Sequence, residues 1–182
     1  MTIWFTADNH FGHKRIIELA NRPFDSVEQM DEVMIERWNN CIAKGDLVYH
    51  LGDFSFADQD LYLPRLNGQK RFIKGNHDHS NRMSKTGWQT VNEMLDIKVN
   101  DTSIVLCHYG LRVWSKSGHG SLHFYGHSHN NLPGDSQCCD VGVDAWNFYP
   151  VTLEDIKGRL ATLPERGGEP DHHGKPYEKD KT

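Results

Sequence analysis

The chain has 182 residues, a length that suits one domain with its own hydrophobic core. Its formal net charge of -5 excludes the overall positive field by which proteins attract nucleic acid or an anionic membrane. The N-terminal region contains neither a charged leader nor a long apolar stretch, so we expect no signal peptide and no membrane span. Four cysteines, two of them adjacent, suit a reducing cytoplasm better than a disulfide framework.

The first quarter of the chain is predicted to contain two strands and two helices. Apolar residues predict a strand over residues 2–7, and the segment "GHKRIIELANR" predicts a helix that begins at Gly12. The clearest helix is "SVEQMDEVMIERWNNCIA", in which Ser26 can cap the first turn and Gln29 follows three residues later. Its apolar residues recur at helical spacing and predict one face against the core. A second strand is predicted from Leu47.

The rest of the chain alternates short strands with turns. A polar connection over residues 79–90 separates two groups of strands, and "NDT" is typical of a hairpin turn. From Pro164 the sequence is rich in proline, glycine and charge, which predicts one domain over residues 1–163 and a mobile polar tail over 164–182. The mixture of strands and helices favours a layered α/β domain. The predicted elements are a short helix over 58–66, strands over 71–74, 94–99, 102–107, 122–126, 138–143 and near 150, and a helix from Leu153.

Five apolar segments end in polar groups that can bind a metal ion or move a proton. They are "IWFTADNH", "LVYHLGD", "RFIKGNHD", "SIVLCHYG" and "LHFYGHSH". A carboxylate at the end of a buried strand is unfavourable unless a partner charge, hydrogen bonds or a metal ion compensates it. One such residue alone is usually a turn former, a helix cap or a half-buried side chain with its hydrogen bonds satisfied. Five in succession predict a single site.

These segments carry five short motifs in a fixed order. The motifs are D-x-H-x-G at Asp8, G-D at Gly52, G-N-H-D at Gly75, C-H-Y-G at Cys107 and G-H-S-H at Gly126. In this order they resemble the calcineurin-like metallophosphoesterase family, especially its small single-domain phosphodiesterases from bacteria, archaea and phages. The resemblance spans residues 3–129. It implies a two-layer β-sandwich flanked by helices, with two divalent metal ions at the strand ends.

The same resemblance implies seven metal ligands. One metal would be held by Asp8, His10 and His129, and the other by Asn76, His108 and His127. Asp53 would bridge the two ions, which explains why a buried strand can end on a carboxylate. Oxygen ligands suit hard cations and imidazoles suit borderline metals, so this mixture without thiolate favours manganese, iron, nickel or zinc, with manganese preferred. Cys107 precedes a ligand but points to the other face of an extended strand, so we expect it in the core.

Two such metals can activate a bridging water, orient a phosphoryl oxygen and offset charge during in-line displacement. The expected reaction is hydrolysis of a phosphate ester, and a phosphodiesterase acting on small or nucleotide-like diesters is the leading hypothesis. His77 would then donate a proton or hydrogen bond to the leaving oxygen, and Asp78 would orient the His77 imidazole. For Asp78, a helix cap or a turn is the alternative.

Weaker patterns suggest residues that touch substrate. His13 and Lys14 lie at the start of a predicted helix, where backbone N–H groups favour anions, although solvated helix positions explain them equally well. Arg112 follows His108 by four residues, so it can either lean over the site or form a surface ion pair. His50 and His123 alternate with apolar residues, and we expect structural roles for both.

Three other functions fit the same motifs. A phosphomonoesterase must neutralise one more negative charge, and the sequence offers few further basic groups. A nuclease needs a basic track along its backbone-binding surface, which the acidic balance and the absence of a long Lys/Arg run disfavour. A binding scaffold that has lost catalysis should lack some ligands or His77, whereas this sequence has all of them.

Overall fold

Two α-helices follow the first strand, and a third follows the last strand, in a computed structural model that describes residues 1–81, 83–84 and 86–167. Short 3-10 turns connect several of the elements. The elements within these residues are β1 (Ile3–Thr6), α1 (Ile16–Leu19), α2 (Val27–Cys41), β2 (Leu47–His50), β3 (Gln69–Ile73), β4 (Thr90–Asn92), β5 (Met94–Val99), β6 (Thr102–Cys107), β7 (Leu122–Tyr125), β8 (Cys138–Asp140), β9 (Val151–Thr152) and α3 (Leu153–Leu160).

The strands of the described residues form two sheets. The first has the order β4-β3-β2-β1-β9, in which only β9 is antiparallel to its neighbour. The second has the order β5-β6-β7-β8, in which β5 and β6 form an antiparallel hairpin and the other pairs are parallel. Parallel neighbours end at the same edge of their sheet. The residues that follow β1, β2 and β3 therefore meet at one edge, and those that follow β6 and β7 meet at another.

One hydrophobic core contains side chains from both sheets. Phe5 of β1 contacts Phe124 of β7 edge to face, with ring centroids 5.1 Å apart, and both are fully buried. Ile156 of α3 belongs to the same core. A second core lies between the first sheet and α2, where Trp38 packs in the cluster that contains Phe72. All four residues of β2 are buried, as expected for a strand covered on both faces. The predicted α/β class is confirmed.

The segment predicted as a helix from Gly12 contains a shorter helix, because α1 spans only Ile16–Leu19. Gly12 has a φ of +71°, which lies in the left-handed region and excludes it from a right-handed helix. The predicted helix over residues 58–66 is two 3-10 turns, Gln59–Leu61 and Leu63–Arg65. The proline at position 64 has no N–H to continue a regular helix. Ser26 does cap α2, accepting a hydrogen bond from the Gln29 amide.

Two further strand predictions need correction. The strand predicted over 138–143 ends at Asp140, and a 3-10 turn follows at Val143–Ala145. A strand that was not predicted, β4, follows the polar connection and completes the edge of the first sheet. Its sequence, Thr-Val-Asn, is too short to show alternation.

The described start of the tail contacts the domain. The Pro164 carbonyl accepts a hydrogen bond from the Ser136 amide, and Arg166 forms an ion pair of 2.9 Å with Asp135. The Arg166 guanidinium also lies 4.1 Å from the centroid of the Trp114 ring. The rest of the predicted mobile tail, 168–182, lies outside the described residues.

The structure bears on two expectations, the absence of a membrane span and the state of the cysteines. Among the described helices, none is both long and apolar enough to cross a membrane. The four cysteines are free, and Cys107 is buried. The predicted cytoplasmic location stays a prediction.

Candidate metal centre

Two groups of three potential metal ligands lie at the strand ends. In each group the ligand atoms lie within 4.8 Å of one another. We call Asp8, His10 and His129 the first triad, and Asp53, His108 and His127 the second triad. The first triad comes from residues that follow β1 and β7. The second comes from residues that follow β2, β6 and β7. The two sheets thus bring together side chains that are up to 121 positions apart, from Asp8 to His129.

Asp53 of the second triad also lies beside the first triad. Its Oδ2 atom is 3.7 Å from Nε2 of His10 and 3.5 Å from Nε2 of His108. The amide oxygen of Asn76 lies 3.0 Å from the same His108 nitrogen. The structure therefore brings all seven predicted ligands together, with Asp53 in the position that a shared ligand requires. That they bind metal stays a prediction.

Five of these seven residues have left-handed backbone conformations. Side chains other than glycine seldom adopt a positive φ, and each such residue is destabilised by about 1–3 kcal/mol. Such residues concentrate at functional sites, where the surrounding structure enforces the conformation. The five φ angles are 59° at Asp8, 52° at His10, 55° at Asp53, 65° at His127 and 47° at His129.

Glycines leave the space that the two carboxylates occupy. A Cβ atom on Gly126 would lie 2.6 Å from Oδ2 of Asp8. A Cβ atom on Gly75 would collide with Oδ1 of Asp53. Real Cβ atoms do not approach so closely, so any other residue at either position would displace a carboxylate. This steric requirement explains why the motifs place glycine beside the polar strand ends.

Several buried atoms of the first triad have no hydrogen-bond partner among the described residues. They are Oδ1 of Asp8 and both ring nitrogens of His10. Buried polar atoms are almost always paired, so such a group calls for a missing partner. Burial, with the charges of Asp140 and Asp53, also raises the pKa of Asp8 well above its usual value. A cation would satisfy the unpaired atoms and favour the ionised carboxylate, so these residues fit a metal ion.

His108 already has the orientation of a ligand. Its Nδ1–H donates to the Leu51 carbonyl at 2.7 Å, and its Nε2 atom faces Asp53 Oδ2 at 3.5 Å. Burial raises the pKa of Asp53, but the hydrogen bond and charge of His108 and the charge of His10 outweigh it and hold the pKa at about 2. Asp53 is therefore ionised near neutral pH, as a ligand shared by two cations must be.

An arginine and an aspartate that the sequence analysis did not identify hold the first triad in place. Asp144 Oδ2 is 2.7 Å from Nδ1 of His129, and a carboxylate in this position orients a metal-binding imidazole. Arg22 makes two hydrogen bonds of 2.8 Å to Asp144 and one of 2.7 Å to the Asp8 carbonyl. The Arg22 side chain is fully buried, so its charge is matched by Asp144 rather than by water. Asp144 lies in the segment that follows β8, and the only signal in the sequence was its place just after a strand end.

The loop that follows β3 depends on Asp78, whose partners differ from the predicted one. Its carboxylate accepts hydrogen bonds from the amides of Asp53, Phe54 and Gly75, at 2.7, 3.1 and 2.8 Å. These three bonds tie the ends of β2 and β3 together. The expectation that Asp78 orients the His77 imidazole is therefore replaced by a role in holding the backbone that carries Asp53.

His77 lies beside the shared carboxylate. Its amide donates to Asp53 Oδ1 at 2.9 Å, and its Nε2 atom is 4.0 Å from Asp53 Oδ2. The side chain is 43% exposed, so its ring can reach a molecule that enters from solvent. Its predicted part in proton transfer stays a prediction.

The residues predicted to touch substrate lie in different surroundings. His13 stacks on Phe56 with ring centroids 3.7 Å apart, and its ring is 5.5 Å from that of His10. Lys14 is exposed in the turn before α1, and Arg112 is exposed in the loop after β6. The Arg112 carbonyl accepts a hydrogen bond from Arg166. The ring contact with His10 brings His13 close to the first triad, and a role in substrate binding stays a prediction for all three residues.

The two histidines expected to be structural have satisfied ring nitrogens. Nε2 of His50 is 2.8 Å from Asn9 Oδ1, and burial lowers the pKa of His50 to about 3. Nε2 of His123 accepts a hydrogen bond of 3.0 Å from the Leu111 amide. Both residues are fully buried, so they support the fold.

A family model matches most of the chain. The model of the calcineurin-like phosphoesterase superfamily domain matches residues 1–142. The chain belongs to this superfamily. Members of the superfamily usually bind divalent metal ions, and the two triads supply ligand groups for them.

Proteins from an archaeon, a phage and a bacterium align with most of the chain. An uncharacterized protein from Methanocaldococcus jannaschii is 30% identical over 164 residues, which cover 84% of this chain and 87% of that protein. The Gene 66 protein of Mycobacterium phage L5 is 27% identical over 202 residues, covering 91% of this chain and 97% of that protein. A crystal structure of a protein of unknown function from Aquifex aeolicus has a TM-score of 0.68 at 22% identity, and covers 87% of this chain and 98% of that one. This last likeness supports the fold alone.

The position of Asp144 gives a prediction about metal affinity. In Asp144→Asn, one of the oxygens that serve Arg22 and His129 becomes an N–H donor, so His129 is held less firmly. We expect metal affinity at the first triad to fall by about 10- to 100-fold, with little change at the second triad. Competitive titration with a fluorescent chelator measures both affinities. Asp135→Asn, which removes a comparable aspartate from the Arg166 ion pair, is the control. Unchanged affinity in Asp144→Asn, in protein with normal circular dichroism, would contradict the orienting role.

Proposed function

We propose that this protein is a metal-dependent phosphodiesterase that hydrolyses small or nucleotide-like phosphate diesters. The observation that carries the proposal is the position of Asp53, a second-triad carboxylate that also lies beside His10 of the first triad and beside the half-exposed His77. In this proposal the two sheets are the layers of a β-sandwich, and their strand ends hold the catalytic groups. The substrate is a small molecule, and no extended basic surface for nucleic acid is expected from a net charge of -5.

The ligand assignment follows the two triads. Asp8, His10 and His129 would hold one divalent ion, and Asn76, His108 and His127 would hold the other, with Asp53 shared. When bound, two such ions supply the positive charge that makes water a nucleophile at neutral pH and that stabilises the phosphoryl oxygens in the transition state. A set of imidazole nitrogens and carboxylate or amide oxygens favours manganese, with iron, nickel and zinc as alternatives.

His77 would act on the leaving group. Its ring is exposed enough to meet a substrate, while its backbone amide is fixed by Asp53. A protonated imidazole in this position can transfer its proton to the departing alkoxide as the P–O bond breaks. The products are then an alcohol and a phosphate monoester, and the neutral imidazole regains a proton from solvent. Asp78 contributes indirectly, by holding the backbone on which Asp53 and His77 are placed.

The charges around the centre favour a diester over a monoester. A monoester carries one more negative charge, and needs a cationic side chain to neutralise it. Arg22 is buried and engaged by Asp144 and by two backbone carbonyls, so its charge already has a partner. Lys74 follows β3, and its Nζ atom lies 3.8 Å from Oε1 of Glu93, so its charge also has a partner. The exposed groups around Asp53 include Asn76, His77 and His127, none of which carries a permanent positive charge, and this suits a substrate of lower charge.

Metal removal tests the proposal directly. Because the carboxylates and imidazoles alone lack the charge to stabilise a phosphoryl transition state, chelation should abolish hydrolysis of a nitrophenyl phosphodiester. Addition of manganese should restore it. The assay should include a panel of linear diesters, cyclic diesters and monoesters, for which we expect higher kcat/KM on diesters. Full activity in protein shown to be metal-free by elemental analysis would contradict the proposal.

The role of His77 can be separated from metal binding. In His77→Ala, we expect both metals and the fold to be retained while cleavage slows by about 10²- to 10⁴-fold. The loss should depend on the leaving group, because nitrophenolate departs without a proton and an alkoxide does not. The comparison therefore uses a nitrophenyl diester and an unactivated nucleotide diester, with His79→Ala as the control. Equal losses on both substrates would argue for electrostatic positioning instead of proton transfer.

A further inference from the structure

The metal centre is closed on one side and open on the other. Asp8 and His10 of the first triad are 0% and 1% exposed. By contrast, Asn76 and His127 are exposed, and the His77 side chain is 43% exposed. A substrate therefore approaches from the side of the second triad, where these three residues form the mouth of the site.

Tyr109 lies at this mouth. It follows His108 directly, and its ring meets the His108 and His127 rings edge to face, with both centroid distances 5.0 Å. Tyr109 is 44% exposed, and it is the one aromatic residue among the large hydrophobic residues exposed in the described part of the chain. Single exposed apolar residues are common on protein surfaces. This one differs because two imidazoles of the second triad fix its ring while much of the ring surface faces solvent.

An apolar side chain extends the same side of the mouth. Leu132 is 48% exposed, and its Cδ2 atom lies 2.7 Å from the place where a Cβ on Gly110 would be. Glycine after Tyr109 therefore lets the loop that follows the G-H-S-H motif approach the Tyr109 loop closely. Together they place exposed apolar surface next to a polar, charged centre. Such a pairing of an apolar wall with a few polar groups is typical of a site for a small molecule.

A second aromatic group lies near the other triad. Phe56 has its ring centroid 4.9 Å from that of His77 and stacks on His13. Phe56 is partly buried, so Tyr109 offers the more accessible ring. A flat group attached to the phosphate can then lie against Tyr109 while the phosphate lies beside Asp53 and His77.

We propose that Tyr109 forms a stacking subsite for a nucleobase of the substrate. The proposal rests on the proposed function, since it places the phosphate of a nucleotide-like ester at the metal centre. Stacking on an aromatic side chain tolerates any base, because every base has a π face. It also needs no positive charge from the protein. The expected contribution to affinity is about 10-fold, the size of effect that one stacked base gives.

Equilibrium binding tests the subsite without requiring turnover. Manganese-loaded protein is titrated calorimetrically with AMP and with ribose 5-phosphate, which differ only in the base. We expect the wild type to bind AMP about 10-fold more tightly. Tyr109→Leu should lose this preference while its affinity for ribose 5-phosphate is unchanged, and Tyr109→Phe should keep it. Tyr149→Leu, which removes a tyrosine ring 5.1 Å from the Arg37 guanidinium, is the matched control.

Two results would overturn the subsite. Equal affinity of the wild type for the two ligands means that no base is recognised. Equal weakening of both ligands in Tyr109→Leu means that Tyr109 acts by positioning His108 and His127, which a fall in manganese stoichiometry would also show. Both results are read from binding alone.

A parallel assay separates this inference from the proposed function. The methyl esters of AMP and of ribose 5-phosphate have the same scissile bond. If the wild type cleaves neither ester but still prefers AMP, the diesterase proposal fails and the subsite stands. If the wild type cleaves both with equal kcat/KM and Tyr109→Leu behaves the same, the subsite fails and the diesterase stands. The combined account predicts a higher KM for the AMP ester in Tyr109→Leu, at unchanged kcat.

Discussion

The placement of buried carboxylates beside one another is the constraint on which the rest of this structure depends. Asp8 and Asp53 are 0% and 2% exposed, and the charge of Asp53 contributes to the raised pKa of Asp8. Without a cation such a pair is unfavourable, because burial removes the water that would stabilise both charges. Three features keep this pair in place: the glycines beside the carboxylates, the left-handed backbone at five predicted ligand positions, and the buried Arg22.

The two sheets convert this local requirement into a fold. Parallel strands end together, so Asp8, Asp53 and Asn76 follow β1, β2 and β3 at one edge, while His108, His127 and His129 follow β6 and β7. The shared core around Phe5 and Phe124 holds the two edges together. Hydrogen bonds that the Asp78 carboxylate accepts and that Arg22 donates then fix loops outside the helices and strands. The packed sheets therefore support the loops in which the predicted ligands have positive φ angles.

The position of much of the site is predictable from sequence because residues such as Asp53 and His108 follow apolar segments and come with a glycine or a second polar residue. Their assignment as metal ligands rests on the resemblance to the phosphoesterase family. Arg22 and Asp144 were missed because their importance lies in contacts between residues 122 positions apart, which no local pattern reveals. Asp78 was placed at the site but given the wrong partner, since sequence shows that a carboxylate is near a histidine and not which donors reach it. The length of α1 was overestimated because hydrophobic periodicity ignores the left-handed Gly12.

The most direct test of the central claim is the metal content of Asp53 variants. Protein is dialysed against excess manganese, freed of unbound metal and analysed for manganese per chain. The account predicts two ions per chain in the wild type, loss of both in Asp53→Asn, and loss of mainly the first-triad ion in His10→Ala. Two manganese ions per chain in Asp53→Asn, as in the wild type, would contradict the claim that this one buried carboxylate serves both metals.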